Sequence, residues 1–128
     1  MIDDAAVPHD PLRAGDVTEL GGLTILSERE GDIHTIGLSG ELDLATAEGV
    51  RAELDRVEAG DARSIVLDLS GLTFMDSTGV RLLVQAHLRS TADSERLTLL
   101  RGQAALQRVL QLSGVDVLLP FADGAGRL

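Results

Sequence analysis

Apolar positions along the chain change their period several times, and each change marks an element. Leu23-Thr24-Ile25-Leu26-Ser27 and Ile33-His34-Thr35-Ile36-Gly37-Leu38 are rich in strand formers and are split by Glu30-Gly31-Asp32, which predicts a β-hairpin. Ala47, Val50, Leu54 and Val57 then recur at helical spacing. Asp43 or Thr46 is placed to cap the start of that helix, and Gly60 to close its end. Ser64-Ile65-Val66-Leu67-Asp68-Leu69 is apolar on both faces apart from Asp68, the pattern of a strand buried between helices. Buried there, Asp68 would need a hydrogen-bond partner, so its expected role is structural. Val80, Leu83, Val84, His87 and Leu88 form the stripe of an amphipathic helix beginning near Ser77. Leu97-Thr98-Leu99-Leu100 reads as the next strand, and Leu106, Val109 and Leu110 as a third helix closed by Ser113-Gly114-Val115. Val117-Leu118-Leu119 adds a short last strand.

A hairpin followed by α-β-α-β-α implies βαβ crossovers. The fold class is α/β: a mixed β-sheet with parallel core strands and amphipathic helices packed on it. Residues 1–20 are polar, with Pro8, Pro11, Gly15 and Asp16, and read as a flexible N-terminal arm with a short extended piece near Val17. Residues 21–122 form the domain and residues 123–128 a C-terminal tail. A length of 128 residues fits one domain.

Charge narrows the choice of partner. The chain carries 11 Lys+Arg against 21 Asp+Glu, a net charge of −10. That balance disfavours nucleic acid and anionic membrane, both of which need clustered positive charge. Only Phe74 and Phe121 are aromatic, so a base-stacking platform is lacking. There is no Cys, and every basic residue is Arg. Thiolate chemistry, a phosphate-loop lysine and Schiff-base chemistry are thereby excluded. The acidic opening Met1-Ile2-Asp3-Asp4 does not suit a signal peptide, and no apolar run reaches membrane-spanning length. The expectation is a cytoplasmic protein without membrane insertion.

The informative stretch runs from Leu67 to Val80. Asp76, Ser77 and Thr78 fall where a helix cap is wanted, and Gly79 removes side-chain bulk from the first turn. A helix start presents unpaired N–H groups and a positive dipole end, so it accepts an added phosphate. Phosphorylating a serine there adds about −1.5 to −2 charges. Capping is the ordinary role of such residues, and the two roles are compatible. Catalysis is not expected: Met75-Asp76-Ser77-Thr78-Gly79 lacks the first glycine of a nucleophile elbow. His87 lies about 15 Å along the same helix from Ser77, His34 is in a strand and His9 in the arm. Metal-ligand spacing is missing too, so neither a metal nor a cofactor is expected.

The stretch Asp68-Leu69-Ser70 through Phe74-Met75-Asp76-Ser77-Thr78-Gly79-Val80, followed by Leu82-Leu83, resembles the signature of STAS domains, and most closely that of the bacterial anti-sigma factor antagonists. Gly40-Glu41-Leu42-Asp43 resembles their loop into the first helix, and Val109 to Val115 their last-helix signature. The likeness spans Leu23 to Pro120. It implies that Ser77 is phosphorylated by a partner that is both anti-sigma factor and serine kinase. In that family the dephosphorylated antagonist binds the kinase and so releases a sigma factor; phosphorylation breaks the complex, and a serine phosphatase resets it. Asp43 maps to the acidic residue near acceptor and partner, Asp76 precedes the acceptor, and Thr78 stands where many relatives have a second serine. The implied partner surface is Asp43, Asp76, Ser77, Thr78, Gly79 and Val80. Two features depart from the family pattern. Gly102-Gln103-Ala104 stands where a proline is common, and the loop Ser90 to Arg96 is unusually polar. The alternative within the same fold is an accessory subunit of a lipid-transport ATPase or of a stress-signalling assembly. Nucleotide binding has no phosphate loop to support it.

Overall fold

A computed structural model describes residues 15–93 and 95–122. The strands are β1 (Gly15–Leu20), β2 (Leu23–Glu30), β3 (Ile33–Leu42), β4 (Ser64–Met75) and β5 (Leu97–Leu100). The helices are α1 (Leu44–Glu58), α2 (Ser77–Asp93) and α3 (Ala104–Leu112). The sheet order is β1-β2-β3-β4-β5, antiparallel from β1 to β3 and parallel from β3 to β5. The mixed sheet with a parallel core is therefore as the periodicity implies.

All three helices lie on one face. Leu23, Ile25, Ile36, Leu38, Ile65, Leu67, Leu69, Leu97 and Leu99 are buried in one core with Val50, Leu54, Leu83 and Leu110 from the helices. The alternate residues Leu26, Gly37, Val66, Asp68, Thr98 and Leu100 are half-buried or exposed. This corrects the reading of β4 as sandwiched between helices. Strands β3, β4 and β5 are added in one direction across the sheet, and crossovers of one hand then put α1 and α2 on the same side. Asp68 is accordingly half-exposed, and its Oδ1 accepts a hydrogen bond from the Ser70 amide at 2.9 Å.

Four further expectations change. Residues 15–20 of the expected arm form edge strand β1, joined to β2 through Gly21-Gly22, with Gly21 at φ +55. The strand lacks apolar alternation because it is largely exposed; the Gly-Gly pair was its signal. The rest of the arm, and the tail 123–128, lie outside the described residues. β4 does not stop at Leu69, where its apolar run ends, but continues to Met75, absorbing two residues in two register irregularities against β3. α2 buries Gly79, Leu82, Leu83 and Ala86, while Leu88 is exposed. Small residues bring this helix close to the sheet, which centres the buried face on Gly79, Leu82, Leu83 and Ala86 and leaves Leu88 outside it. Finally, Val117 to Leu119 form turns, and a single bridge joins Leu99 to Phe121 instead of a last strand.

The helix ends follow local chemistry. α1 closes on Ala59, with the Gly60 amide bonded to the Val57 carbonyl. α3 ends in a Schellman motif: Gly114 sits at φ +78, and the amides of Val115 and Gly114 bond to the carbonyls of Leu110 and Gln111. Where a proline is common, Gln107 turns its side chain back to the Gly102 amide at 2.7 Å.

One polar cluster sits under α1. Buried Ser27 meets His34 Nε2 at 2.6 Å, and Arg56 forks onto Glu53. Burial lowers the His34 pKa, helped by Arg56 and Arg29 and opposed by Glu53 and Asp16. Between about pH 6.5 and the lower folded-state value the folded protein thus binds fewer protons than the unfolded chain, so stability is present above pH 6.5 and is lost as pH falls from there through the folded pKa. The urea midpoint is expected to drop between pH 7 and pH 5, and to drop less for His34→Gln; equal drops in the two proteins would remove His34 as the cause. Among the described residues, no helix is long and apolar enough to cross a membrane.

Candidate functional site

The site begins where β3 and β4 end together. Leu42 pairs with Met75 in parallel register, and the Asp76 amide donates to the Leu42 carbonyl at 3.2 Å. The next residue on each strand caps a helix, so two helix N-termini open side by side at the C-terminal edge of the sheet. Asp43 Oδ1 accepts from the amides of Ala45 at 3.1 Å and Thr46 at 3.2 Å. The Thr46 hydroxyl accepts from the Asp43 amide at 3.0 Å and donates to the Glu41 carbonyl at 2.9 Å. Asp43 and Thr46 therefore act together as a capping box rather than as alternatives.

At α2 the cap is Asp76. Its Oδ1 accepts from Thr78 N at 2.9 Å and Gly79 N at 3.3 Å. Ser77 becomes the first helical residue, exposed, with its hydroxyl left out of the capping bonds. Thr78 is half-buried and lines a shallow groove of about 140 Å³ with Glu48 and Arg51 from α1 and Arg81 and Gln85 from α2. Arg51 is taken up by Glu48 and by Asp55, the latter at 2.6 Å. The hydrogen bond from Arg51 holds the Glu48 carboxyl below its ordinary pKa.

Gly79 and Val80, expected in the partner surface, face inward. A Cβ on Gly79 would lie 2.5 Å from Met75 Cγ and 3.0 Å from Leu42 Cγ, so its bare backbone clamps α2 onto the strand ends. Val80 packs against the core. Two residues that sequence reasoning passed over are exposed at the same edge: Leu44 at 77% and Phe74 at 50%. Leu44 had a signal in its phase, since it lies off the Ala47-Val50-Leu54 stripe. Phe74 had none: it shares the parity of buried Leu72, and only the register irregularity at Thr73 turns it outward while Met75 faces the core.

Two other concavities among the described residues are remote from Ser77. A cavity of about 300 Å³ is lined by Glu58, Arg89, Arg96 and Leu97. It lies at the far end of α2, whose 17 residues span roughly 25 Å. The polar loop after α2 is at that end too, where Arg96 donates to the carbonyls of Glu58 and Ala62 at 2.7 Å. It ties down the end of α1 and is not part of the Ser77 edge. Among the described residues, no three His, Cys, Asp or Glu side chains converge as metal ligands.

Comparison with known proteins agrees with this architecture. The STAS domain matches residues 24–125, and the chain belongs to the STAS domain family. Curated proteins similar to it include anti-sigma factor antagonists. The anti-sigma F factor antagonist of Lysinibacillus sphaericus is 36% identical over 81 residues, covering 62% of this chain and 69% of the relative. The crystal structure of an anti-sigma factor antagonist from Mycobacterium paratuberculosis superposes with a TM-score of 0.69 at 26% identity, over 77% of this chain and 84% of that one. The Bacillus cell fate determinant SpoIIAA in its phosphorylated form gives 0.57 at 26% identity, over 88% and 94%. These relatives are named as regulators.

Proposed function

We propose that this protein is a partner-switching antagonist: with Ser77 unmodified it binds an anti-sigma factor that is also a serine kinase, and so frees a sigma factor. Phosphorylation at Ser77 ends the complex, and a serine phosphatase restores it. One observation carries the reading. Asp76 takes over the capping of α2, which leaves the Ser77 hydroxyl exposed and uncommitted at the first turn. In the transfer, Ser77 Oγ bonds to the γ-phosphorus of ATP as the bond to the ADP oxygen breaks, and the hydroxyl proton passes to a base of the kinase. The helix N-terminus tolerates the charge gained. Support for a phosphorylated state comes from the relative solved in that form. Asp43, Asp76, Ser77 and Thr78, with exposed Leu44 and Phe74, make up the surface offered to the partner.

Thr78 is a weaker acceptor, because it is half-buried and turned toward the α1–α2 groove. The test is to recover the ATP-binding partner with Ser77→Ala as bait, add ATP and wild-type protein, and read intact mass and phosphopeptides. One phosphate on wild type and on Thr78→Ala, at Ser77, and none on Ser77→Ala is expected. Modification elsewhere, or recovery of transport-ATPase subunits indifferent to Ser77, would move the function to the accessory-subunit alternative.

A further inference from the structure

One turn along α2 from Ser77 stands a cation that the switch as described does not use. Arg81 follows Ser77 by four residues, so the two side chains stand one turn apart on one face of the helix. Both are exposed, whereas Gly79, Leu82 and Leu83 point into the core. Arg51, the other guanidinium lining the neighbouring groove, is committed to Glu48 and Asp55. Arg81 makes no salt bridge among the described residues.

We infer that Arg81 is the intramolecular holder of the Ser77 phosphate: once the serine is modified, the guanidinium folds back along the helix face and pairs with the phosphate oxygens. The inference rests on Ser77 being the acceptor. Its physical basis is the fork of N–H donors that guanidinium presents to a phosphate, set at a spacing where oppositely charged helical side chains attract. The surroundings make a holder useful. Asp43 and Asp76 flank the acceptor at the two caps, and Glu48 adds charge from α1. These carboxylates favour the singly charged phosphate. Arg81, with the amide dipoles of the helix start, favours the doubly charged one. A phosphoserine loses its second proton near pH 6, so this balance decides how completely the switch is charged near neutral pH.

The test needs no kinase. Phosphoserine is placed at position 77 during translation, and the phosphate is titrated by ³¹P NMR in the otherwise wild-type chain, in Arg81→Gln and in Arg63→Gln. Arg63 is exposed and lies just before β4, at the opposite end of that strand from Ser77, so its variant reports the effect of net charge alone. The second pKa of the phosphate is expected to rise by about 0.3 of a pH unit in Arg81→Gln, to stay unchanged in Arg63→Gln, and to lose its dependence on Arg81 in 0.5 M salt, where the screening length is only a few ångströms. The same pKa in wild type and Arg81→Gln, or an equal shift in Arg63→Gln, would overturn the inference. Because the phosphate is installed without an enzyme, that outcome is separable from failure of the kinase reading, which the phosphopeptide map decides independently.

Discussion

Ser77→Asp is expected to fold as well as the wild type and to bind the kinase partner at least about 30-fold more weakly, with Ser77→Ala within about fivefold of wild type. The stability half of this result follows from position. Ser77 is the first residue of α2, exposed, with capping already supplied by Asp76. A carboxylate there meets the positive end of the helix dipole, worth about 0.3–1 kcal/mol in favour of the fold. The binding half follows from what surrounds it. Asp43 and Asp76 already occupy the two neighbouring caps, and another carboxylate placed in the interface is an unpaired charge that costs on the order of 2 kcal/mol or more on association. Ser77→Ala removes a small exposed hydroxyl and leaves both caps intact. Calorimetric titration of the three proteins into the partner, beside their thermal melts, gives the two halves separately. Equal affinities for the alanine and aspartate variants would remove Ser77 from the switch.

Gly40→Ala is expected to cost about 3 kcal/mol or more of stability, a fall in Tm of roughly 10 °C or more. Gly40 has φ +106, which L side chains rarely adopt, and an added Cβ would collide with the Gly22 carbonyl oxygen. That oxygen is also the acceptor for the Glu41 amide at 3.0 Å, so neither group can withdraw without breaking the bond. The strain is local to the site: the pairing of β3 with β4 shifts between Gly40 and Glu41, and this shift brings Leu42 level with Met75. A variant that relaxes it moves Asp43 away from Asp76. Gly37→Ala is the control, because its Cβ would meet only the Leu26 carbonyl oxygen at 3.7 Å and Leu26 Cβ at 4.0 Å. Urea unfolding of both variants decides the matter; equal midpoints would show that the Gly40 backbone relaxes freely.

Much of this architecture is legible along the chain, for a reason that is local. A change from period two to period three or four marks where strands give way to helices, and it identifies β2, β3, β5 and the helices α1 and α3 without reference to distant residues. Elements whose character depends on neighbours are the ones misread. β1 is a largely exposed edge and shows no alternation. β4 is apolar on both faces, although its Val66 and Asp68 face belongs to the uncovered side of the sheet. α2 buries Gly79 and Ala86, residues that a search for large apolar side chains ignores.

The same division runs through the site. The sequence by itself determined that a hydroxyl stands at a helix start beside an acidic residue, and that the chain's charge suits no polyanion. Only the tertiary structure decided which residue does the capping. Asp76 reaches two amides because Met75 ends β4 in register with Leu42, and so Ser77 is left free. The tertiary structure likewise made neighbours of Asp43 and Asp76, which are distant along the chain. Parallel strands that end in register must deliver their following helices to the same edge, and the pairing of backbone groups that enforces this is not written in any one segment.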